Sequence, residues 1–346
     1  MMNIILSIND TFVEQAAALI TSIHKNSKKD SSIRINILHS TVTQEHQDIM
    51  KKMVKGMENI SELNFVDLSE FVNRDLFDKS LKNSAVTHAS PEAYYRLYIS
   101  NLFPQYNKAL YLDTDLIVCE DLTELYNTNL ENLYVGAVSE QKFFFKSVLV
   151  FNGKKIKAED YLKNKLHIFN KTYFNSGVLL LNLEEMRKNN IHEKSFDFFV
   201  NNYPLAYCDQ CVLNSVLNSK VKLLDRKYNV YSRFGYFSDT ITNIIHFTGP
   251  NKPWNSCKKN ESFEIYWKYF KLTPFYNEEK EKLYLMLKKS RQKKFFFQRH
   301  KFIKIVLGRH KYRIKIFHHT FSLAPKYVNF YRKSKQKFLS LLSTRK

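Results

Sequence analysis

Short apolar runs alternate with amphipathic stretches through the first hundred residues. Residues 3–8 form an apolar run that ends at a polar turn, and residues 13–23 have the apolar spacing of a helix. Residues 33–38 predict a second strand, residues 44–57 a second helix, and residues 63–67 a third strand. Repeated β-α units of this kind favour an α/β fold with a mostly parallel sheet and helices on both faces.

Four later runs predict further strands, at residues 108–112, 116–118, 178–181 and 241–247. In an open α/β sheet, ligands bind beyond the carboxyl ends of the strands. Polar residues at strand ends are therefore the first candidates for a functional site.

The charge of the chain is concentrated at one end. The formal net charge is +21 over 346 residues, but residues 277–346, the basic tail, hold 21 Lys and Arg against three Glu, a net of +18. Residues 1–276 carry a net charge of only +3. With 44% hydrophobic residues, the chain can bury one large core plus an appendage. We expect two regions, a folded body over residues 1–276 and the basic tail.

The composition of the basic tail fits a nucleic-acid arm, a solvated tail or a membrane-surface anchor. Six apolar residues fall within a stripe about 120° wide on a helix, with the charges outside it; they are Tyr327, Phe330, Tyr331, Phe338, Leu341 and Leu342. Each Lys or Arg near an anionic leaflet contributes on the order of 1 kcal/mol. The pattern predicts a helical extension on an anionic membrane surface; packing against the body is the alternative.

Several features favour a cytoplasmic protein. The N-terminal apolar run is too short for a signal peptide, and no run approaches the roughly 18 to 20 apolar residues that span a bilayer. Four cysteines in so long a chain indicate a reduced compartment. Cys208 and Cys211 form a C-x-x-C pair, which allows a redox pair or half a zinc site, but no second pair accompanies it.

Asp113 and Asp115 follow the strand at 108–112 and are two residues apart. In extended chain their side chains point the same way and can share a hard divalent cation, although a solvated turn with two acids gives the same pattern. His246, at another strand end, adds an imidazole, which favours Mn²⁺ over Mg²⁺; a satisfied core histidine is the alternative. Gly249 permits close backbone approach and Lys252 supplies a cation for phosphate.

Five segments in this order carry a family resemblance: residues 4–12, 111–115 (Tyr-Leu-Asp-Thr-Asp), 174–178 (Phe-Asn-Ser-Gly-Val), 209–214 (Asp-Gln-Cys-Val-Leu-Asn) and 246–254. Over roughly residues 2 to 260 the chain resembles glycosyltransferase family 8, the retaining galactosyl- and glucosyltransferases related to bacterial lipooligosaccharide enzymes and glycogenin. The resemblance implies a GT-A fold, which is Rossmann-like.

The resemblance also implies residue roles. Asp113, Asp115 and His246 would coordinate Mn²⁺, with Mg²⁺ as the alternative ion. Asp209 and Gln210 would lie beside the donor sugar as the catalytic pair, and Glu140 aligns more loosely with a sugar-contacting acid. The remaining implied donor contacts are Ser7, Asn9, Thr11, Arg96, Thr114, Asn175, Gly249 and Lys252. Relatives more usually carry acidic and amide residues where this chain has Asn9 and Thr11. The alternatives are a helix N-cap for Asp209 and a turn residue for Asn175.

The implied reaction is transfer of a hexose, with galactose and glucose as the leading sugars, from a UDP-sugar to a glycan or lipid-linked saccharide in bacterial surface polysaccharide synthesis. Because the neutral amide Gln210 stands where a nucleophile is expected, front-face attack is favoured over double displacement. A haloacid dehalogenase-type phosphatase also uses D-x-D, but its motif continues with Gly-Thr rather than Leu116-Ile117. A nucleic-acid-binding protein is the other alternative; the near-neutral body argues against it, and no nucleic acid is expected as a partner.

Overall fold

The computed structural model describes residues 1–72, 74–82, 84, 90–169, 172–217, 220–232, 242–255, 260–279 and 281, and the backbone of 304–306 and 313–315. The chain folds into two compact units, Met1–Lys293 and Lys294–Lys346.

The first unit opens with the predicted β-α units. Strand β1 (Met2–Ser7) leads into helix α1 (Val13–Asn26), and β2 (Ile33–His39) leads into α2 (Gln44–Val54) and then β3 (Ile60–Asp67). The three strands pair in parallel, and the side chain of Thr43 caps α2 by accepting from the backbone N–H of His46. The predicted strands and helices of this segment are confirmed to within a few residues.

The rest of the unit continues with further strands and helices along the chain. In order these are α3 (Arg74–Lys82), a 3-10 helix over Pro91–Tyr98, α4 (Ile99–Leu102), β4 (Lys108–Leu112), β5 (Leu116–Val118), α5 (Thr123–Tyr126), β6 (Val135–Ser139), α6 (Lys142–Phe145), β7 (Val148–Phe151), β8 (Lys154–Lys157), α7 (Ala158–Leu166), β9 (Phe174–Asn182), α8 (Leu183–Lys188), α9 (Ile191–Asn202), α10 (Cys208–Leu217), β10 (Val221–Leu223), β11 (Val230–Tyr231), β12 (Ile244–His246) and α11 (Glu261–Phe270).

The main sheet has seven strands in the order β10-β6-β9-β4-β1-β2-β3. Strand β9 runs antiparallel to β4 and β6, and the other neighbours are parallel. A smaller sheet has the order β11-β12-β5. The mixed, mostly parallel sheet flanked by helices confirms the predicted fold class.

Both faces of the main sheet are covered. Along β4, Ala109 and Tyr111 pack into one apolar cluster, whereas Leu110 and Leu112 pack into a second cluster on the opposite face. Continuous apolar runs are typical of strands that are buried in this way. Helix α1 lies in the second cluster through Ala16, Leu19 and other residues.

Backbone hydrogen bonds join the strand ends that hold the candidate residues. The N–H of Asp113 donates to the carbonyl of Gly177 over 2.8 Å, which continues the β4–β9 pairing. The N–H of Phe247 donates to the carbonyl of Asp115 over 2.9 Å, next to the β12–β5 pairing. The sheet topology therefore brings three distant segments to one place.

In the second unit, β13 (Lys304–Val306) pairs antiparallel with β14 (Arg313–Lys315). The helical stripe predicted between Tyr327 and Leu342 lies outside the described residues. Among the described helices, none has the length and apolar character that a membrane span requires.

Candidate active site

Two carboxylates and one imidazole converge at the edge of the main sheet. Ligand atoms of Asp113, Asp115 and His246 all lie within 4.8 Å of one another. The imidazole Nε2 of His246 lies 3.2 Å from Asp115 Oδ1 and 4.0 Å from Asp113 Oδ2. Two hard oxygen donors and one borderline nitrogen suit a divalent ion such as Mn²⁺. These three residues could hold a metal ion, as the strand-end argument predicts.

The space between these ligands depends on a residue without a side chain. A Cβ on Gly177 would lie 2.8 Å from Asp113 Oδ2 and would clash with Cε1 of His246. Strand β9 can therefore run directly beneath the cluster only with glycine at this position. Glycine at residue 177 supports a cation site, because any side chain at this position would enter the space between Asp113 and His246.

Lys252 adds a positive charge to this cluster. Its ammonium forms an ion pair with Asp115 and donates to the carbonyl of Phe247 over 2.6 Å, and the side chain is buried. Burial alone would raise the pKa of Asp115, but attraction to Lys252 and His246 lowers it well below its ordinary value. Asp115 is thus an anion in the folded protein. Gly249 has φ of +80°, which glycine adopts without strain, in the turn before Lys252.

Arg96 links the acids of this cluster to Asp209. Its guanidinium lies 2.8 Å from Asp113 Oδ1 and 3.1 Å from Asp209 Oδ2, and it stacks over the ring of Tyr111 at 4.3 Å. Burial raises the pKa of Asp209 to about 6, against the attraction of Arg96 and with a smaller contribution from Asp113. Asp209 lies inside the first turn of α10, so the N-cap alternative is wrong for this residue.

The amide groups of Asn175 and Gln210 form the next layer. Gln210 Oε1 accepts from the backbone N–H of Ser176 and from Asn175 Nδ2, each over 3.1 Å. Both of these amide groups also donate to Glu140 Oε1 over 3.5 Å. Ser176 Oγ donates to Asp209 Oδ2 over 3.1 Å. Four residues that the family resemblance singled out, Glu140, Asn175, Asp209 and Gln210, thus share one hydrogen-bond network.

Ser7 and Asn9, the candidates at the end of β1, donate hydrogen bonds to Glu92, a residue that could not be predicted from the sequence. Ser7 Oγ donates to the carbonyl of Glu92 over 2.6 Å, and Asn9 Nδ2 donates to Glu92 Oε2 over 3.3 Å. Asn9 Oδ1 accepts from the N–H and hydroxyl of Thr11, which is exposed. Thr114 is buried between the two metal-ligand candidates along the chain. No sequence pattern marks Glu92, because its role comes from packing of the 3-10 helix against β1.

A second residue missed by the sequence reading is Asn229. It is buried, and its Oδ1 lies 2.9 Å from Nδ1 of His246, while its Nδ2 donates to Asn175 Oδ1 over 2.9 Å. Asn229 directly follows the 3-10 helix Arg226–Tyr228. Asparagine is ordinary at such a position, so only the three-dimensional contacts reveal its place in the site.

The C-x-x-C cysteines are not arranged for redox chemistry. Both thiols are buried, and burial raises the pKa of Cys208 to about 12 and that of Cys211 to about 11. Cys211 Sγ lies 3.3 Å from the hydroxyl of Tyr173. A reactive or metal-binding cysteine needs a stabilised thiolate, whereas these environments favour the neutral thiol.

Solved glycosyltransferases share this fold. The bifunctional glycosyltransferase WbbM matches with a TM-score of 0.69 and 25% identity, over 81% of this chain and 51% of that protein. The galactosyltransferase LgtC, crystallised with donor and acceptor sugar analogues, matches with a TM-score of 0.66 and 23% identity, over 81% of this chain and 99% of that one. The chain thus has the architecture of a sugar transferase.

Sequence comparison identifies the family. The model of glycosyl transferase family 8 matches residues 3–258, and the chain belongs to this family. A putative glycosyltransferase from Haemophilus influenzae is 28% identical over 271 residues, covering 73% of each chain. A lipopolysaccharide 1,2-glucosyltransferase from Escherichia coli is 28% identical over 294 residues, covering 80% of this chain and 79% of that protein. Membership in this family favours a transferase over the phosphatase and nucleic-acid-binding alternatives.

Proposed function

We propose that the protein transfers a hexose from a UDP-sugar to a saccharide acceptor, with retention of anomeric configuration and with Mn²⁺ as the cofactor. The observation that carries the proposal is the cluster of Asp113, Asp115 and His246, whose ligand atoms lie within 4.8 Å of one another. When bound, the ion would neutralise the departing diphosphate as a Lewis acid. The nitrogen ligand favours Mn²⁺ over Mg²⁺.

On the phosphate side, the chain supplies its own positive charge. Lys252 is buried at the cluster, and a Cβ at Gly249, in the turn before it, would meet nothing within 4 Å. Released from Asp115, the ammonium can bind a phosphate oxygen through a charge-assisted hydrogen bond. Ser7, Asn9, Thr11 and Thr114 are the proposed contacts for the rest of the nucleotide.

On the sugar side, the network of Glu140, Asn175 and Gln210 offers acceptors and donors for hydroxyl groups. Arg96 holds Asp113 and Asp209 in fixed relative positions, since it contacts both carboxylates. Glu140 and Gln210 are buried, and exclusion of water from their side chains strengthens each interaction with the bound sugar.

Retention is proposed to follow front-face attack, in which the departing phosphate accepts the proton of the acceptor hydroxyl. Gln210 is a neutral amide whose oxygen already accepts two hydrogen bonds, so it is a poor nucleophile. Asp209 Oδ2 is held by Arg96 and Ser176. Mass spectrometry of protein incubated with donor should therefore find no covalent sugar. An adduct on Asp209, with loss of all turnover in Gln210→Ala, would overturn this mechanism.

The acceptor is proposed to be a glycan or lipid-linked saccharide of the bacterial surface, with galactose or glucose as the transferred sugar. The named function of the Escherichia coli relative supports this class of acceptor. A location on the cytoplasmic face of the membrane, bound through the basic tail, would bring the enzyme to a lipid-linked acceptor.

The test is hydrolysis of a panel of UDP-sugars without acceptor, measured with and without Mn²⁺. We expect UDP release from UDP-galactose or UDP-glucose that requires Mn²⁺ and that is lost in Asp113→Asn. Lys227→Gln, at a surface ion pair with Glu124, is the control and should retain activity. Hydrolysis of phosphate esters in place of UDP-sugars would instead favour the phosphatase alternative.

A further inference from the structure

We propose that Asn229 is a positioning residue that keeps a proton on Nδ1 of His246 and so directs the Nε2 lone pair at the metal site. Its consequence for metal binding rests on the proposed function. The position of the proton is independent of the proposed function, because it can be measured in the metal-free protein.

The direction of the hydrogen bonds starts from the backbone. The N–H of Gly177 lies 3.0 Å from one terminal atom of the Asn175 amide. A backbone N–H can only donate, so this atom must be the oxygen Oδ1. The orientation of the Asn175 side chain is fixed by the main chain of β9.

That orientation fixes the next side chain. One terminal atom of the Asn229 amide lies 2.9 Å from Asn175 Oδ1. Because this oxygen can only accept, the Asn229 atom must be the nitrogen of the NH₂ group. The oxygen of the same amide then faces Nδ1 of His246 over 2.9 Å. An oxygen can only accept here, so Nδ1 must carry the proton.

The surroundings of Nε2, the other ring nitrogen of His246, show why the proton must be held on Nδ1. Nε2 of His246 lies 3.2 Å from the carboxylate of Asp115, and a charged carboxylate is a stronger acceptor than an amide oxygen. Without Asn229, the single proton of the neutral imidazole would be drawn to Nε2. A proton on Nε2 would occupy the lone pair that a metal ion needs.

Water is poorly placed to substitute for Asn229. Asn229 is 1% exposed and His246 is 3% exposed, so the contact between them is closed to solvent. A buried polar group that loses its partner is costly, which makes proton transfer to the Asp115 side the favourable outcome in a variant without the amide.

The experiment is long-range ¹⁵N–¹H correlation NMR of the metal-free, full-length protein at alkaline pH, with His246 assigned by comparison with His246→Gln. We expect His246 of the wild-type protein to give the signal pattern of an imidazole that is protonated on Nδ1. An imidazole protonated only on Nε2 would overturn the proposal, whether or not the protein binds Mn²⁺.

Two variants separate accepting from donating. Asn229→Leu removes both functions, and we expect the proton to move to Nε2 and Mn²⁺ affinity, measured by EPR titration without nucleotide, to fall about 10- to 100-fold. Asn229→Asp still accepts from Nδ1, so it should keep the wild-type tautomer and restore affinity to within a few-fold. Retention of the Nδ1–H tautomer in Asn229→Leu would contradict the proposal.

Asn36→Leu is the matched control, because Asn36, on β2, is also buried but forms its hydrogen bonds with Tyr106 and Asn64. Its tautomer signal and Mn²⁺ affinity should equal those of the wild type. If the wild type has the Nδ1–H tautomer but binds no Mn²⁺, the metal role fails while the role of Asn229 in proton placement stands.

Discussion

The α-carbon of Gly177 faces the imidazole of His246 so closely that a methyl group between them would have no room. The same methyl group would lie 2.8 Å from Asp113 Oδ2 and 3.0 Å from Asn175 Oδ1. Only glycine at this position therefore lets two of the candidate metal ligands, Asp113 and His246, pack directly against strand β9.

Gly177→Ala should therefore damage the metal site selectively. His246 or Asp113 must move to admit the methyl group, and a ligand displaced by a few tenths of an ångström loses optimal coordination. We expect Mn²⁺ affinity to fall at least about 10-fold, by analogy with loss of an outer-shell partner, in an isothermal titration. Gly56→Ala is the control, since a Cβ there meets nothing within 4 Å. Equal affinities in the two variants would contradict the proposed role of Gly177.

Lys252→Gln should separate donor binding from metal binding. Loss of a charge-assisted hydrogen bond to phosphate costs about 1.5 to 3 kcal/mol, so we expect KM for the UDP-sugar to rise about 10- to 100-fold. Mn²⁺ affinity without nucleotide should be unchanged or higher, because Asp115 no longer pairs with an ammonium. Steady-state kinetics and a Mn²⁺ titration test both effects. A variant that keeps the wild-type KM would be inconsistent with a phosphate-binding Lys252.

Strand-end residues could be predicted from the sequence, and partners contributed by turns and irregular segments could not. Asp113, Asp115 and His246 follow from the position of polar residues at the ends of apolar runs, since sheet topology gathers such ends. Asn229 and Glu92 have no comparable signal, because they reach the site through a short 3-10 turn and a 3-10 helix whose packing depends on the whole fold. The predicted strand at residues 178–181 was too short, since β9 begins at Phe174 and includes the polar residues of the motif.

Asp209 should make stability depend on pH in a definite direction. Its pKa is about 6 in the folded protein against an ordinary 3.8, so the folded state binds this proton more tightly than the unfolded chain does. The free energy of unfolding should therefore fall as pH rises from about 4 to about 6, by roughly 2 to 3 kcal/mol from this group.

Chemical denaturation of the metal-free protein between pH 4.5 and pH 7.5 tests this dependence. Relative to the wild type, Asp209→Asn should gain stability as pH rises from 4.5 to about 6 and show little further gain up to pH 7.5. A constant difference between the two proteins at all pH values would show that the buried carboxyl has an ordinary pKa.

The basic tail should bind anionic membranes through its charge. The part of it beyond Lys293 contains 15 Lys and Arg and no acid. Truncation after Lys293 is preferable to truncation after Tyr276, because Glu281 pairs with Lys271 over 2.5 Å in the first unit. We expect the full chain to sediment with phosphatidylglycerol vesicles at low salt and to be released at high salt. The truncated chain should stay in the supernatant. Equal binding of both chains would place the membrane contact elsewhere.

The central claim is that Asp113, Asp115 and His246 bind one divalent ion together. Pulsed EPR of Mn²⁺ added to the untagged protein with ¹⁵N-labelled histidine tests it most directly, because a coordinated imidazole nitrogen couples to the electron spin of the metal. We predict one bound Mn²⁺ with a histidine nitrogen coupling that disappears in His246→Gln. Bound Mn²⁺ without that coupling, or a coupling that persists in His246→Gln, would contradict the account.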